Sequence, residues 1–509
     1  ALCYIEGCAL WLMPNAPARL GSTLRLVPQI LRRFPVETLE PGDAFLANDP
    51  YIVGVTHLND CTLAAPIFHD GKPVGFAVSV AHHSDVGGRV PGSEAGDNVS
   101  IFQEGLRVPP VKLYAAGKPR ADMWELFLLN SRTPHYGEGD LLAQMASCER
   151  GIRRVGELYQ KHGVERMSSY IDRILDATEA RMRARIRSVL KEGEYRAEDN
   201  LDEDGLTGAP VRFAVTLKVK DGHVTFDCSG CAAQIGSGKN VPYSHTLATA
   251  FFCLRAIVDP QITTNEGLYR AVTVVAPEGS IVNPVAPAAV SSRNTTSMIL
   301  ADVFFNVLGQ AGPERAIAAC GPAQGIILSG RDALRHRFFV DYENFAGGQG
   351  GRGHADGMDV VQVNMTNTSN LPIEAMEMEF PLRVERYELV PGSGGTGEYR
   401  GGLGVLRDLR VLADDATVAL RSARQIFPAQ GLAGGSPGAL GAFIRNPGRN
   451  DETKLPSTSS DTPLKNGDVL RIVTPGGGGF GPIAERDGEL AHRDLETGKV
   501  RAVQPSRRE

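Results

Sequence analysis

Residues 56–85 read THLNDCTLAAPIFHDGKPVGFAVSVAHHSD, and the expected architecture of the first part of the chain follows from this stretch. Residues 61–68 and 74–81 are apolar runs of strand length, joined by HDGKP with Asp70-Gly71 as a turn signal. A hairpin centred on Gly71 sets Asp60 opposite His82 at its open end, with Cβ atoms about 5 Å apart. His57 precedes Asp60 by three positions, so a single turn brings its ring to the same place. Two imidazoles and one carboxylate with open coordination positions suit Zn, Mn or Fe(II), in a catalytic more than a closed structural arrangement. The plainer reading is a set of turn and strand-end groups satisfied locally. His83 would face away from His82 on a strand, so His83 and Asp85 are candidates for a supporting shell or for proton handling.

Outward from the hairpin, 509 residues exceed what one hydrophobic core usually serves, and two or more domains are expected. The composition, 42% hydrophobic and 22% charged, is that of a soluble globular protein, and a net charge of −6 argues against nucleic-acid binding. The sequence shows no apolar run near the roughly 20 residues of a membrane span and no signal-peptide pattern at its start, so no membrane association is expected. Eight scattered cysteines fit a reducing cytoplasm. The expected fold class is α+β, a mixed, β-rich multi-domain chain with a helical segment near 140–193. It divides into a metal-site domain with that helical segment (1–195), a β-rich second domain with Gly-rich loops (196–480) and a charged C-terminal tail (481–509). Asp140 and Ser168 are the expected N-caps of two helices. Asp221-Gly222 turns a hairpin, and IEAMEMEF (373–380) alternates like a half-exposed strand. Glycine clusters such as GGQGGRG and GGGGFG mark close backbone approaches.

Three motif matches fail on chemistry. GGSPG at 434–438 imitates a nucleophile elbow, but Pro437 lacks the N–H that the oxyanion would need. Cys228 and Cys231 form a C-x-x-C after a hairpin strand, with no second pair to complete a zinc site. GSGKN at 236–240 lacks the first glycine and the Ser/Thr of a phosphate loop. Arg293, Glu374, Glu377, Glu379, Arg383 and Arg386 could line a substrate or partner surface, or simply decorate exposed faces.

The stretches NDPYIVGVTHLND, AHHSDVGGRVPGS, IFQEGLRVPPVKLY, NSRTPHYGEGDLLAQ, PLRVERYELVPGSGGTGEYRGGLG and TPGGGGFGP occur in this order along the chain. They resemble the hallmark segments of the hydantoinase B / oxoprolinase family, which is related to the metal-binding subunit of acetone carboxylase. The resemblance implies a metal on His57, Asp60 and His82, with a further aspartate from an Asp-Phe-Ser segment upstream of the part matching Ala1–Leu2. It also implies a hydantoinase A type partner in a hetero-oligomer with two or more copies. That ATPase subunit would bind ATP and Mg and phosphorylate the carbonyl oxygen of a small-molecule substrate, a hydantoin, 5-oxoproline or related lactam, which this subunit then hydrolyses. A subunit of an ATP-dependent ketone carboxylase and a non-catalytic scaffold subunit are the alternatives.

Overall fold

The computed structural model describes residues 1–500 apart from 6, 8, 12–16 and 23. Its first layer is a seven-stranded sheet built around the hairpin of Asp60–His69 and Lys72–His82. Asp70 and Gly71 both adopt positive φ (48° and 74°), as a two-residue type I′ turn requires. His69 pairs with Lys72, a register that continued unbroken would set Asp60 against Ala81. Instead the pairing shifts between Ile67–Gly75 and Phe68–Pro73, leaving Val74 as a bulge, and Asp60 lies opposite His82. A slip of one residue would have turned the site's side chains to the other face.

Both faces of this sheet are covered. Leu63, Ala65 and Ala77 pack against Leu141, Met145 and Cys148 of the helix Pro134–His162. Phe45, Phe76 and Val78 pack against Leu26, Val27 and Ile30 of the helix Leu26–Arg33. Asp140 is not an N-cap: the helix begins at Pro134, because proline needs no N–H partner in a first turn. Ser168 likewise lies inside Val164–Val189, and Gly163 (φ 75°) separates the two helices.

The chain then forms a four-stranded sheet from Gly193–Leu201, Val211–Lys220, His223–Asp227 and Val272–Val275, with Asp221 and Gly222 turning its hairpin at positive φ. The helices Tyr243–Val258 and Arg293–Ala311 pack with this sheet in one core. A β-sandwich follows. Its four-stranded layer carries Gln324–Asp332, Arg337–Phe345, Ala416–Arg421 and Thr458–Leu464, and a five-stranded layer lies across a core that includes Leu328, Phe345, Leu409 and Ile472. The stretch expected as a strand at 373–380 is the helix Ile373–Glu379. Its apolar residues Ile373, Met376 and Phe380 also stand at helical spacing, and Met376 and Phe380 are buried in the sandwich core.

The glycine clusters meet in one place. Segments from 318–321, 347–357, 393–404, 429–441 and 474–481 run side by side and exchange backbone hydrogen bonds, among them Gly348 N to Pro475 O (3.0 Å), Gly402 N to Gln349 O (2.7 Å) and Gly477 N to Gly402 O (3.0 Å). A Cβ on Gly402 would stand 1.9 Å from Met358 O, and one on Gly476 1.9 Å from Ser393 O. Only glycine permits backbones to approach so closely. GGSPG belongs to this bundle, with Gly438 N bonded to Ala429 O. The tail helix Gly488–Glu496 docks on it through Asp494–Arg400 (3.4 Å) and through the flanking Arg486–Asp356 and Lys499–Asp359 ion pairs, while the residues from 501 onward lie outside the described ones.

Candidate metal centre

Asn59 closes the open end of the hairpin. Its side chain donates to the carbonyls of His83 (2.9 Å) and Gly92 (3.1 Å), and its own carbonyl accepts from His83 N. A turn from His57 O to Asp60 N (3.1 Å) then brings His57 beside Asp60 and His82. The two imidazole rings lie 4.8 Å apart. Glu94 joins them: its Oε1 is 3.0 Å from His57 Nδ1 and 3.6 Å from His82 Nε2. One ligand atom from each of His57, His82 and Glu94 falls within 4.8 Å of the others. Asp60 flanks this triangle, with Oδ2 at 3.8 Å from His57 Nε2.

Both ring nitrogens of His57 and Nε2 of His82 are buried without a hydrogen-bond partner, the short Glu94 contact lacking the alignment of one. Buried polar atoms normally find partners. Burial pushes the His57 imidazole well below its usual range and His82 to about 3, so both are neutral at neutral pH with lone pairs available. Burial alone would raise the Asp60 carboxyl, but the Arg19 and Arg293 guanidiniums hold it well below the usual range, and it stays ionised. Neutral imidazoles and carboxylates converging on one point fit a borderline divalent cation, and His57, His82 and Glu94, with Asp60 at their side, could hold one.

The surrounding groups come from distant parts of the chain. Arg293 opens the helix Arg293–Ala311 and donates to Thr56 Oγ1 (3.1 and 3.0 Å) and Glu94 Oε1 (3.2 Å), while Thr56 Oγ1 donates to Asp60 Oδ2 (2.5 Å). Tyr342 donates to Glu94 Oε2 (3.0 Å) and lays its ring 4.8 Å from that of His82. Burial raises its phenol to about 12, so it remains a donor. Arg421 reaches both Tyr342 Oη (3.0 Å) and Glu94 Oε2. A cavity of about 230 Å³ opens onto Asp60 and His82, walled by Arg19, Arg293, Tyr342 and the 365–371 segment.

His83 and Asp85 do not face this cavity. His83 Nε2 meets Gln144 Oε1 at 3.0 Å, on the side of the Pro134–His162 helix, and its ring stands edge-on to Phe127. Asp85 accepts from the backbone of Gly87, Gly92 and Arg132 and from the Arg132 guanidinium, fixing the loop that delivers Glu94. Of the other residues singled out in the sequence, Arg293 is at the site, whereas Lys239 of GSGKN is buried with Nζ on Glu203 O at 3.1 Å. Glu94 and Tyr342 carry no motif signal. Nor does His245, which is buried close enough to feel Arg293, Asp60 and His57, with neither ring nitrogen hydrogen-bonded.

Three histidines held neutral by burial make the metal-free chain acid-sensitive. Their folded pKa values lie below the unfolded 6.5, so the unfolded state takes up protons first. Stability is full above about pH 6.5 and falls as the pH drops toward the folded values. Urea titrations of the metal-free chain at pH 7.5 and 5 should show the midpoint falling, and the double variant His57→Gln/His245→Gln should flatten that dependence.

The sheet and the sandwich enclose a buried histidine–carboxylate cluster at the end of a small cavity, the architecture of an enzyme acting on a small molecule. The chain belongs to the hydantoinase B/oxoprolinase family, whose model matches residues 1–483. It is 37% identical to an uncharacterized protein of Methanocaldococcus jannaschii, covering 96% of this chain and 84% of that one. It is 32% identical to a putative D-/L-hydantoinase component of Pseudomonas sp. strain NS671, covering 91% and 80%. The structure of ATP-dependent caprolactamase from Pseudomonas jessenii superposes with a TM-score of 0.91 at 28% identity, covering 98% of this chain and 88% of that one. Nucleotide-free acetone carboxylase shares the fold, with a TM-score of 0.87 at 20% identity and coverage of 98% and 73%.

Proposed function

We propose that this chain is the metal-dependent subunit of an ATP-dependent amidohydrolase that opens a hydantoin, 5-oxoproline or related lactam after a hydantoinase A type partner has phosphorylated the ring carbonyl oxygen. The observation that carries the reading is the convergence of unpartnered, neutral His57 and His82 on Glu94 at the inner end of a ligand-sized cavity. The relatives support it, being named as subunits of a hydantoinase and of a caprolactamase. The lack of a phosphate loop in this sequence is consistent with nucleotide chemistry in a partner.

Amide resonance makes a lactam a poor electrophile, and phosphorylation turns its carbonyl oxygen into part of a good leaving group. His57, His82 and Glu94, with Asp60 beside them, would hold a divalent ion, which would supply Lewis acidity and lower the pKa of water there. Thr56 and Arg293 fix Asp60 and Glu94 in place, and Tyr342 with Arg421 secures the second oxygen of Glu94. Asp60, held ionised far below the usual carboxylate range, is a poor proton acceptor at neutral pH and serves through its charge. Tyr342, which stays protonated, also lines the cavity, and its one O–H is held by Glu94 Oε2.

The test is turnover of a lactam panel by the chain with its partner and ATP, before and after chelation. Ring opening that stops on chelation and returns with one divalent metal is expected. Turnover indifferent to chelation would refute the metal role, and ATP use that requires bicarbonate would point to carboxylation instead.

A further inference from the structure

We propose that Arg19 anchors an oxyanion subsite in the cavity beside the histidine–carboxylate cluster, and that the group bound there is the substrate's phosphoryl group or a carboxylate on its ring. The proposal rests on the functional reading above and names the residue that would hold the charged end of the ligand.

The cavity is too positive for a neutral lactam alone. Arg19 and Arg293 line it against Asp60 and Glu343, and Glu343 is already engaged by Arg407 at 2.9 Å, so two guanidiniums face one free carboxylate, while Arg421 pairs with Glu94 behind the wall. A divalent ion would add two further positive charges. An electroneutral ring gains little from this surplus, whereas an oxyanion neutralises part of it in a partly enclosed space.

Arg19 is the arginine placed to make that contact. Its side chain is 31% exposed, against 7% for Arg293 and 4% for Arg421. The two buried guanidiniums are committed to Thr56, Ser291 O, Glu94 and Tyr342. Arg19 gives its Nε–H to Asp60 Oδ1 at 3.2 Å, with Nη2 at the same distance. A guanidinium has five N–H donors in a planar fork, so the Asp60 contact does not exhaust it, and the remaining edge suits a carboxylate or phosphate.

The opposite wall is polar as well. Asn367, Thr368 and Ser369 are exposed to the cavity on a segment tied down by Asn370 Nδ2 to Asn344 O (3.2 Å) and Leu371 N to Glu343 Oε1 (3.3 Å). Amide and hydroxyl groups facing an arginine across a small cavity form a complementary set for an oxygen-rich ligand.

Titration calorimetry of the metal-loaded chain in complex with its partner, without ATP, tests this with three probes: inorganic phosphate, 5-oxoproline and 2-pyrrolidinone. Arg19→Gln is expected to weaken phosphate or 5-oxoproline by tenfold or more, to leave 2-pyrrolidinone within twofold, and to keep the metal content. Loss confined to phosphate identifies the phosphoryl group as the ligand, and loss confined to 5-oxoproline identifies the ring carboxylate. A wild-type chain that binds neither anion, or a variant that binds both as well as wild type, overturns the subsite. So does a variant that loses its metal, since Arg19 would then serve only to position Asp60. Failure of the functional reading shows separately, as absence of metal from the wild-type chain.

Discussion

His57→Ala is expected to fold normally, to be purified without its metal, and to lose turnover with the ATPase partner by on the order of 10³-fold, the scale of several kcal/mol of lost charge stabilisation. The fold survives because the His57 ring holds no hydrogen bond: both nitrogens are buried and unpartnered, so its removal breaks no network and leaves a small cavity. The metal goes because His82 and Glu94 alone give two first contacts, with Asp60 already committed to Arg19 and Thr56. Metal analysis, circular dichroism and turnover on one preparation separate these effects. A folded variant that keeps its metal and its rate would remove His57 from the centre.

Gly477→Ala should have the largest effect on the fold. A Cβ there would lie 2.2 Å from Gln349 O and 2.4 Å from Gln349 C, both backbone atoms with no rotamer to escape by. Relief requires moving a strand of the glycine bundle whose neighbours are equally tight, and the bonds from Gly477 N to Gly402 O and from Gly395 N to Gly477 O would break with it. The cost exceeds about 4 kcal/mol, the range reached by overpacking combined with lost buried hydrogen bonds. The variant should be insoluble or show a sharply lowered melting temperature. Gly488→Ala is the control: nothing lies within 4 Å of its added Cβ, and it sits in the first turn of a helix, so stability should hold or rise slightly. Equal behaviour of the two variants would contradict the bundle's role.

The hairpin was legible because two apolar runs around Asp-Gly leave little choice of pairing. Centring on Gly71 finds the Asp60–His82 pair, yet the two-residue turn alone would have set Asp60 against Ala81. The bulge at Val74 restores the match, and nothing in KPVGF announces it. Glu94 escaped detection because its approach depends on a loop shaped by Gly92 and Ser93 at positive φ and pinned by Asp85, a long-range assembly without a local pattern. Tyr342 and Arg421 arrive from strands of one sandwich sheet, where alternation shows that a side chain is buried but not what it meets. The helix Ile373–Glu379 was misread because IEAMEMEF satisfies a period of two and helical spacing at once, and Pro372 with the buried Met376 decided it. The glycine clusters announced close approaches, but their convergence from five segments is a tertiary fact.

The central claim is that His57, His82 and Glu94 form a divalent-metal centre. Element-resolved anomalous diffraction from crystals of the purified complex tests it directly. A single anomalous peak among those three side chains, absent in His57→Ala crystals, is the predicted result. A map without a peak there, from a preparation that opens its lactam in the presence of chelator, would contradict it.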